Sequence, residues 1–147
     1  MARTSKRKVR LESQSLQENV SVKTYMAGIY ARLSVDNHDG KEISIETQIE
    51  MAKEYLKSHT EIMLYDCYSD LGATGTNFQR SDFERLMQDV RDGLINCIIV
   101  KDFSRFGRNY IETGNFVEKI FPFMGVRFIA ITDQYDSIKQ ADCNEAL

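Results

Sequence analysis

From residue 25 onward, short apolar runs alternate with stretches whose apolar residues recur every three or four positions. "YMAGIYARL" (25–33) reads as a buried strand and "SIETQIEMAKEYLKS" (44–58) as a helix. In that helix Ile45, Ile49, Ala52 and Leu56 share a face, and Ser44 is placed to cap the N-terminus. "IMLYDCY" (62–68) is a second strand. "SDFERLMQDVRDG" (81–93) predicts a helix with Phe83, Leu86, Met87 and Val90 inward. Its Ser81 and Glu84 have capping-box spacing, and Gly93 is a C-terminal stop. "NCIIV" (96–100) is a short buried strand, and "YIETGNFVEKIFPFMG" (110–125) is a helix ended or kinked by Pro122. "VRFIAI" (126–131) is the last strand, and "DQYDSIKQADCNEAL" is polar and irregular. Strands alternating with helices imply an α/β fold: a three-layer sandwich with a mostly parallel central sheet and helices on both faces.

The pattern divides the chain into three parts. Residues 1–22 are polar, with Arg3, Lys6, Arg7, Lys8 and Arg10 close together, and read as a flexible basic tail or solvated leader. Residues 23–137 form the folded unit, and residues 138–147 are an irregular end that starts a truncated connection.

Composition changes little. The 147 residues suit one domain with a real core. Net charge is −3, so any polyanion partner must be met by a local basic patch. Cys67, Cys97 and Cys143 are odd in number, far apart and in no CxxC pair, which argues against a disulfide framework or zinc site. No apolar run reaches the length of a membrane span, and the N-terminus lacks a signal-peptide core, so a cytoplasmic protein without membrane contact is expected.

Candidate chemistry gathers where function usually sits in such sheets, at the carboxyl ends of the strands. After the first strand come Arg32 and Ser34. After the second come Asp70 and a loop leading to Arg80, and after the third comes "KDFSRFGRN" with Lys101, Arg105 and Arg108. Four arginines and a lysine therefore converge on an edge that holds one serine, against two acids, Asp70 and Asp102. Taken alone, Ser34 reads as a turn cap. Beside these cations it reads as a nucleophile for a phosphodiester, because planar guanidinium forks suit the charge that develops on the non-bridging oxygens. His38 and His59 have no ligand-like spacing, and no P-loop or G-x-G-x-x-G occurs, so neither metal nor nucleotide cofactor is expected.

"YARLS", "SIETQ", "YSDLGATGTNFQR" and "VKDFSRFGRN", in this order, resemble the catalytic domain of serine site-specific recombinases, the resolvase/invertase group. The "DFSRFGRNY" and "FPFMGVRFIAITDQYDS" wording looks most like the large serine recombinases of mobile elements. The resemblance implies that Ser34 attacks DNA to give a 5′-phosphoserine link and a free 3′ hydroxyl. It implies that Arg32, Arg105 and Arg108 bind and activate the phosphate. Arg80, Gln48, Asp70 and Tyr30 match further active-site positions, and Lys101 joins the arginines as a DNA contact. It also implies dimers and tetramers acting on two DNA sites without ATP, metal or small-molecule substrate. One departure stands out: many relatives have Asp immediately before the first arginine of the third motif, where this chain has Ser104. That substitution is the one feature favouring a catalytically inactive regulatory or interaction module.

Overall fold

The computed structural model describes residues 24–34, 43–72, 80–107 and 109–139. Five strands form one sheet in the order β2-β1-β3-β4-β5. They are β1 (Tyr25–Ser34), β2 (Ile62–Gly72), β3 (Cys97–Val100), β4 (Arg127–Ala130) and β5 (Tyr135–Asp136). All neighbours run parallel except β5, which is antiparallel to β4. The chain leaves β1 in one direction to make β2 and then returns past it to β3. Right-handed crossovers therefore put the intervening helices on opposite faces. Helix α1 (Ile45–Lys57) lies on one face and α2 (Ser81–Arg91) on the other.

The burial alternates as a two-faced sheet requires. Ala27, Ile29, Cys97, Ile99 and Ile129 pack with Ala52 of α1. Tyr30, Tyr68, Ile98 and Val100 pack with Phe83, Leu86 and Val90 of α2 and with Phe106, Phe121 and Phe128. Gly28 lets α2 approach the sheet: a Cβ there would lie 2.8 Å from Leu86 Cδ1 and 2.9 Å from Tyr68 Cε2. Cys97 is buried in the sheet, and burial raises its thiol to about 12, so it stays neutral. No helix among the described residues is long and apolar enough to cross a membrane.

The expected elements are present, with four differences. The second strand runs on to Gly72, four residues beyond the apolar run, because β1 continues beside it. The cap of α2 does not come from a Ser81–Glu84 box. Arg80 stands at the N-cap position but its side chain does not cap the helix, and the Asp70 carboxylate of β2 takes the backbone N–H groups of Asp82 and Phe83 instead. The third helical stretch is interrupted rather than ended by proline. It runs as α3 (Tyr110–Asn115), a π turn (Phe116–Ile120) and α4 (Phe121–Met124). The widened turn sits just ahead of Pro122, which has no N–H to give, and Gly125 at φ 72° closes the helix. Finally, the polar end is partly structured. Tyr135 and Asp136 add β5, held by the buried pair of Arg127 with Asp136 (Nη2–Oδ2 2.6 Å), and Ile138 packs on the core beneath α1. The basic tail (1–22) and residues 140–147 lie outside the described residues.

This topology prepares a crevice. The last β1 residue paired with β3 is Ile29, whereas β1 stays paired with β2 through Ser34, opposite Gly72. Residues 31–34 of β1 thus project past the end of β3, at the point where the strand order reverses.

Candidate active site

Arg32 stands on the projecting end of β1, opposite Asp70 of β2. Beyond Ile29 the strand no longer has β3 beside it, and Gln48 of α1 supplies the missing partner. Its amide oxygen accepts from the Arg32 N–H at 3.3 Å, and its amide nitrogen donates to the Arg32 carbonyl at 3.0 Å and the Ile43 carbonyl at 2.8 Å. This explains why a glutamine is the most deeply buried side chain of α1 together with Ala52. The other end of Arg32 is held too, since its guanidinium donates to the Ser104 carbonyl.

Ser104 lies on the short 3-10 turn Phe103–Arg105 that follows β3. Its hydroxyl donates to Asp102 Oδ1, while Lys101 Nζ lies 2.7 Å from Asp102 Oδ2. Burial works against the Asp102 carboxylate, but hydrogen bonds from Lys101 and Ser104 and the charges of Lys101 and Arg105 outweigh it. Its pKa is lowered from the ordinary carboxylate value. The turn is tied to the sheet by the Phe103 N–H donating to Asp133 Oδ2 at 2.8 Å. An open cavity of about 550 Å³ lies against Arg32, Asp102, Ser104, Asn109, Tyr110 and Asp133.

Tyr30, Asp70 and Arg80 lie beneath this surface. Asp70 is 5% exposed and accepts from the Tyr30 hydroxyl at 2.8 Å as well as from Asp82 N at 3.0 Å and Phe83 N at 2.9 Å. Burial first, and the bond to Asp70 second, raise the Tyr30 phenol far above its ordinary value, so it remains a proton donor. Arg80 is 7% exposed. Its guanidinium donates to the Glu112 carboxylate and the Phe106 carbonyl, and its central carbon sits 3.5 Å from the centroid of the Phe83 ring. Arg105 is buried within the turn.

The fold therefore gathers Arg32, Gln48, Lys101, Arg105, Asp70, Arg80 and Tyr30 around one strand end, with Ser34 two residues beyond Arg32 on β1. They fall into an open group and an enclosed group, a division the residue types alone do not reveal. Arg108 lies outside the described residues. Sequence reasoning missed Glu112. The signal was present as Asn109-x-x-Glu112, a helix-start spacing. Asn109 does cap α3, accepting from the Glu112 N–H at 2.8 Å, but the Glu112 carboxylate turns to Arg80. Gly107 follows Phe106 just beyond the 3-10 turn. It is not among the glycines with positive φ, yet a Cβ there would come within 2.8 Å of the Thr113 backbone nitrogen. Close approach, not turn freedom, accounts for it. Among the described residues, no group of three or more His, Cys, Asp or Glu is placed to hold a metal.

The family model described as "Resolvase, N terminal domain" matches residues 27–144. The chain belongs to the resolvase family. Its fold is shared with serine recombinase catalytic domains of known structure. This resolvase domain is similar to the N-terminal catalytic domain of TP901-1 integrase, with 25% identity and a TM-score of 0.66 over 76% of this chain and 82% of that one. It is also similar to a resolvase family site-specific recombinase from Streptococcus pneumoniae, with 26% identity and a TM-score of 0.63 over 79% and 78%. A third is the C-terminal catalytic domain of ISC1926 TnpA, an IS607-like serine recombinase, with 25% identity and a TM-score of 0.56 over 73% and 69%. No curated protein matches the chain.

Proposed function

We propose that this resolvase-family domain is the catalytic part of a DNA site-specific recombinase and works through a phosphoserine intermediate at Ser34. In cleavage the Ser34 oxygen bonds to phosphorus, the bond from phosphorus to the 3′ oxygen breaks, and the serine proton is balanced by the one the 3′ hydroxyl gains. Rejoining reverses these steps, and the phosphoester keeps the bond energy between them. The observation that carries the reading is the support of Arg32. Its backbone is fixed by Gln48 and its guanidinium by the Ser104 carbonyl, at the mouth of an open cavity and two residues from Ser34. A fixed cation needs no reorganisation when charge develops on the phosphate. Arg105 and Arg108 join Arg32 in this role, and Lys101 adds positive potential at the same edge.

The same reading takes DNA as the substrate and dimers and tetramers as the working assemblies, with residues 23–137 as the catalytic unit, extended at least to Ile138 by its packing. The alternative of an inactive module rests on Ser104 standing where relatives carry a carboxylate. It loses ground because Asp102 brings a carboxylate to the Ser104 hydroxyl on that same turn.

The test is covalent trapping on nicked recombination sites that cannot be resealed. The expected result is a protein–DNA adduct that survives denaturant, maps to Ser34 and is absent in Ser34→Ala. Recombination by Ser34→Ala would end this reading.

A further inference from the structure

Arg80 is expected from the sequence to touch DNA, yet the fold encloses it. Its side chain is 5% exposed, and the face of Phe83, the Phe106 carbonyl and the Glu112 carboxylate occupy the guanidinium. A phosphate would have to displace Glu112 to reach it. The partners themselves point to another use. Phe106 follows Arg105 and precedes Gly107, and Glu112 stands in the first turn of α3, where its N–H holds the side chain of Asn109. Arg80 thus grips the segment 106–109 at one end through Phe106 and at the other through Glu112 and Asn109. Between these ends Gly107 lies so close to Thr113 that no Cβ fits. The closed path Arg80–Phe106 and Asn109–Glu112–Arg80 brackets the stretch that directly follows Arg105.

We infer that Glu112 is a positioning residue of this site. Through Arg80 it fixes the turn that carries Arg105 toward the phosphate. The inference rests on the recombinase reading for its consequence, but not for its structural core. Glu112 neutralises a buried guanidinium, and without that charge Arg80 loses the partner that aims it at Phe106. Arg105, next to the bracket, then loses its fixed geometry, which matters more for the reaction than for holding DNA.

Glu112→Gln is the decisive variant because it keeps shape and a hydrogen-bond acceptor while removing charge. In the intact protein we expect single-turnover adduct formation to fall roughly ten- to a hundredfold. DNA affinity should stay within about twofold, since the contacts that hold DNA remain. Arg80→Gln should act likewise, and the double variant should be no worse than the worse single one, because the two residues act as one unit. Amide hydrogen exchange supplies an activity-free readout: residues 103–107 should exchange faster in Glu112→Gln while β3 is unchanged. Unchanged exchange, additive losses, or faster cleavage would overturn the inference; the last would make Glu112 a restraint on Arg80 instead. Should the wild-type protein give no Ser34-dependent adduct, the recombinase reading fails and takes the catalytic consequence with it. The exchange comparison then decides the bracket by itself.

Discussion

Tyr30, Asp70 and Arg80 spend their polar atoms on the protein, whereas Arg32, Asp102 and Ser104 stand at a cavity wall. Asp70 serves the Tyr30 hydroxyl and two backbone N–H groups of α2, and Arg80 serves Glu112 and the Phe106 carbonyl. Arg32 is restrained as firmly, but from behind: its backbone and one side of its guanidinium are used, and it lines the cavity. The enclosed group thus determines where the open group stands. Two residues of identical type, Arg32 and Arg80, differ in use because one stands on a strand that outruns its neighbour and the other precedes a helix packed on the core.

The comparison is broken most sharply by exchanging which property a mutation destroys. Arg32→Gln removes a charge aimed at the cavity. It should lower the rate of adduct formation by about 10²–10³, as losing one fixed donor to a developing oxyanion does, and leave thermal unfolding almost unchanged. Asp70→Ala should do the reverse. It orphans the Tyr30 hydroxyl and two helix N–H groups, and should cost about 2–4 kcal/mol of stability in a denaturant titration. Its effect on cleavage should largely vanish at temperatures where the variant is folded. If Asp70→Ala stays stable but abolishes cleavage, Asp70 belongs with the open group and enclosure does not separate the two roles.

Most of the fold was legible because its signals are local. Apolar runs and helical spacing mark the elements, and the order of strands and helices marks the topology. What was not legible depends on partners distant in sequence. The cap of α2 comes from Asp70 rather than from its own first turn, because β2 carries that carboxylate directly to the helix N-terminus. β5 is only two residues long, and its anchor is the pairing of Asp136 with Arg127 on the neighbouring strand. In the site, Arg80 was marked by the resemblance, but the partner of its charge was not legible. Only the packing shows that Glu112 answers that charge. Gln48 was marked by the resemblance, but its bonds to the β1 backbone were not legible, because nothing in the sequence tells where β3 stops pairing with β1.

The finest test of the comparison concerns Asp102, which belongs to the open group yet is partly engaged by it. Its ionised form is bound by Lys101 and Ser104, so its pKa in the folded protein lies below the unfolded value of about 4. The sign follows from linkage. The unfolded chain takes up the proton first as pH falls, so the stability from this group is present above about pH 4 and is lost as pH drops through the lower folded value. Asp102→Asn should therefore lower stability at pH 7 by about 1 kcal/mol, because its pair with Lys101 is mostly shielded yet Asp102 lines the open cavity. It should also flatten part of the acid limb when unfolding is followed between pH 7 and pH 3. The same variant tests the open group's chemistry, since its amide still accepts from Ser104 but no longer balances Lys101. A stability loss of several kcal/mol at neutral pH would place Asp102 with Asp70, as a carboxylate that holds the fold rather than one that shapes the charge of the cavity.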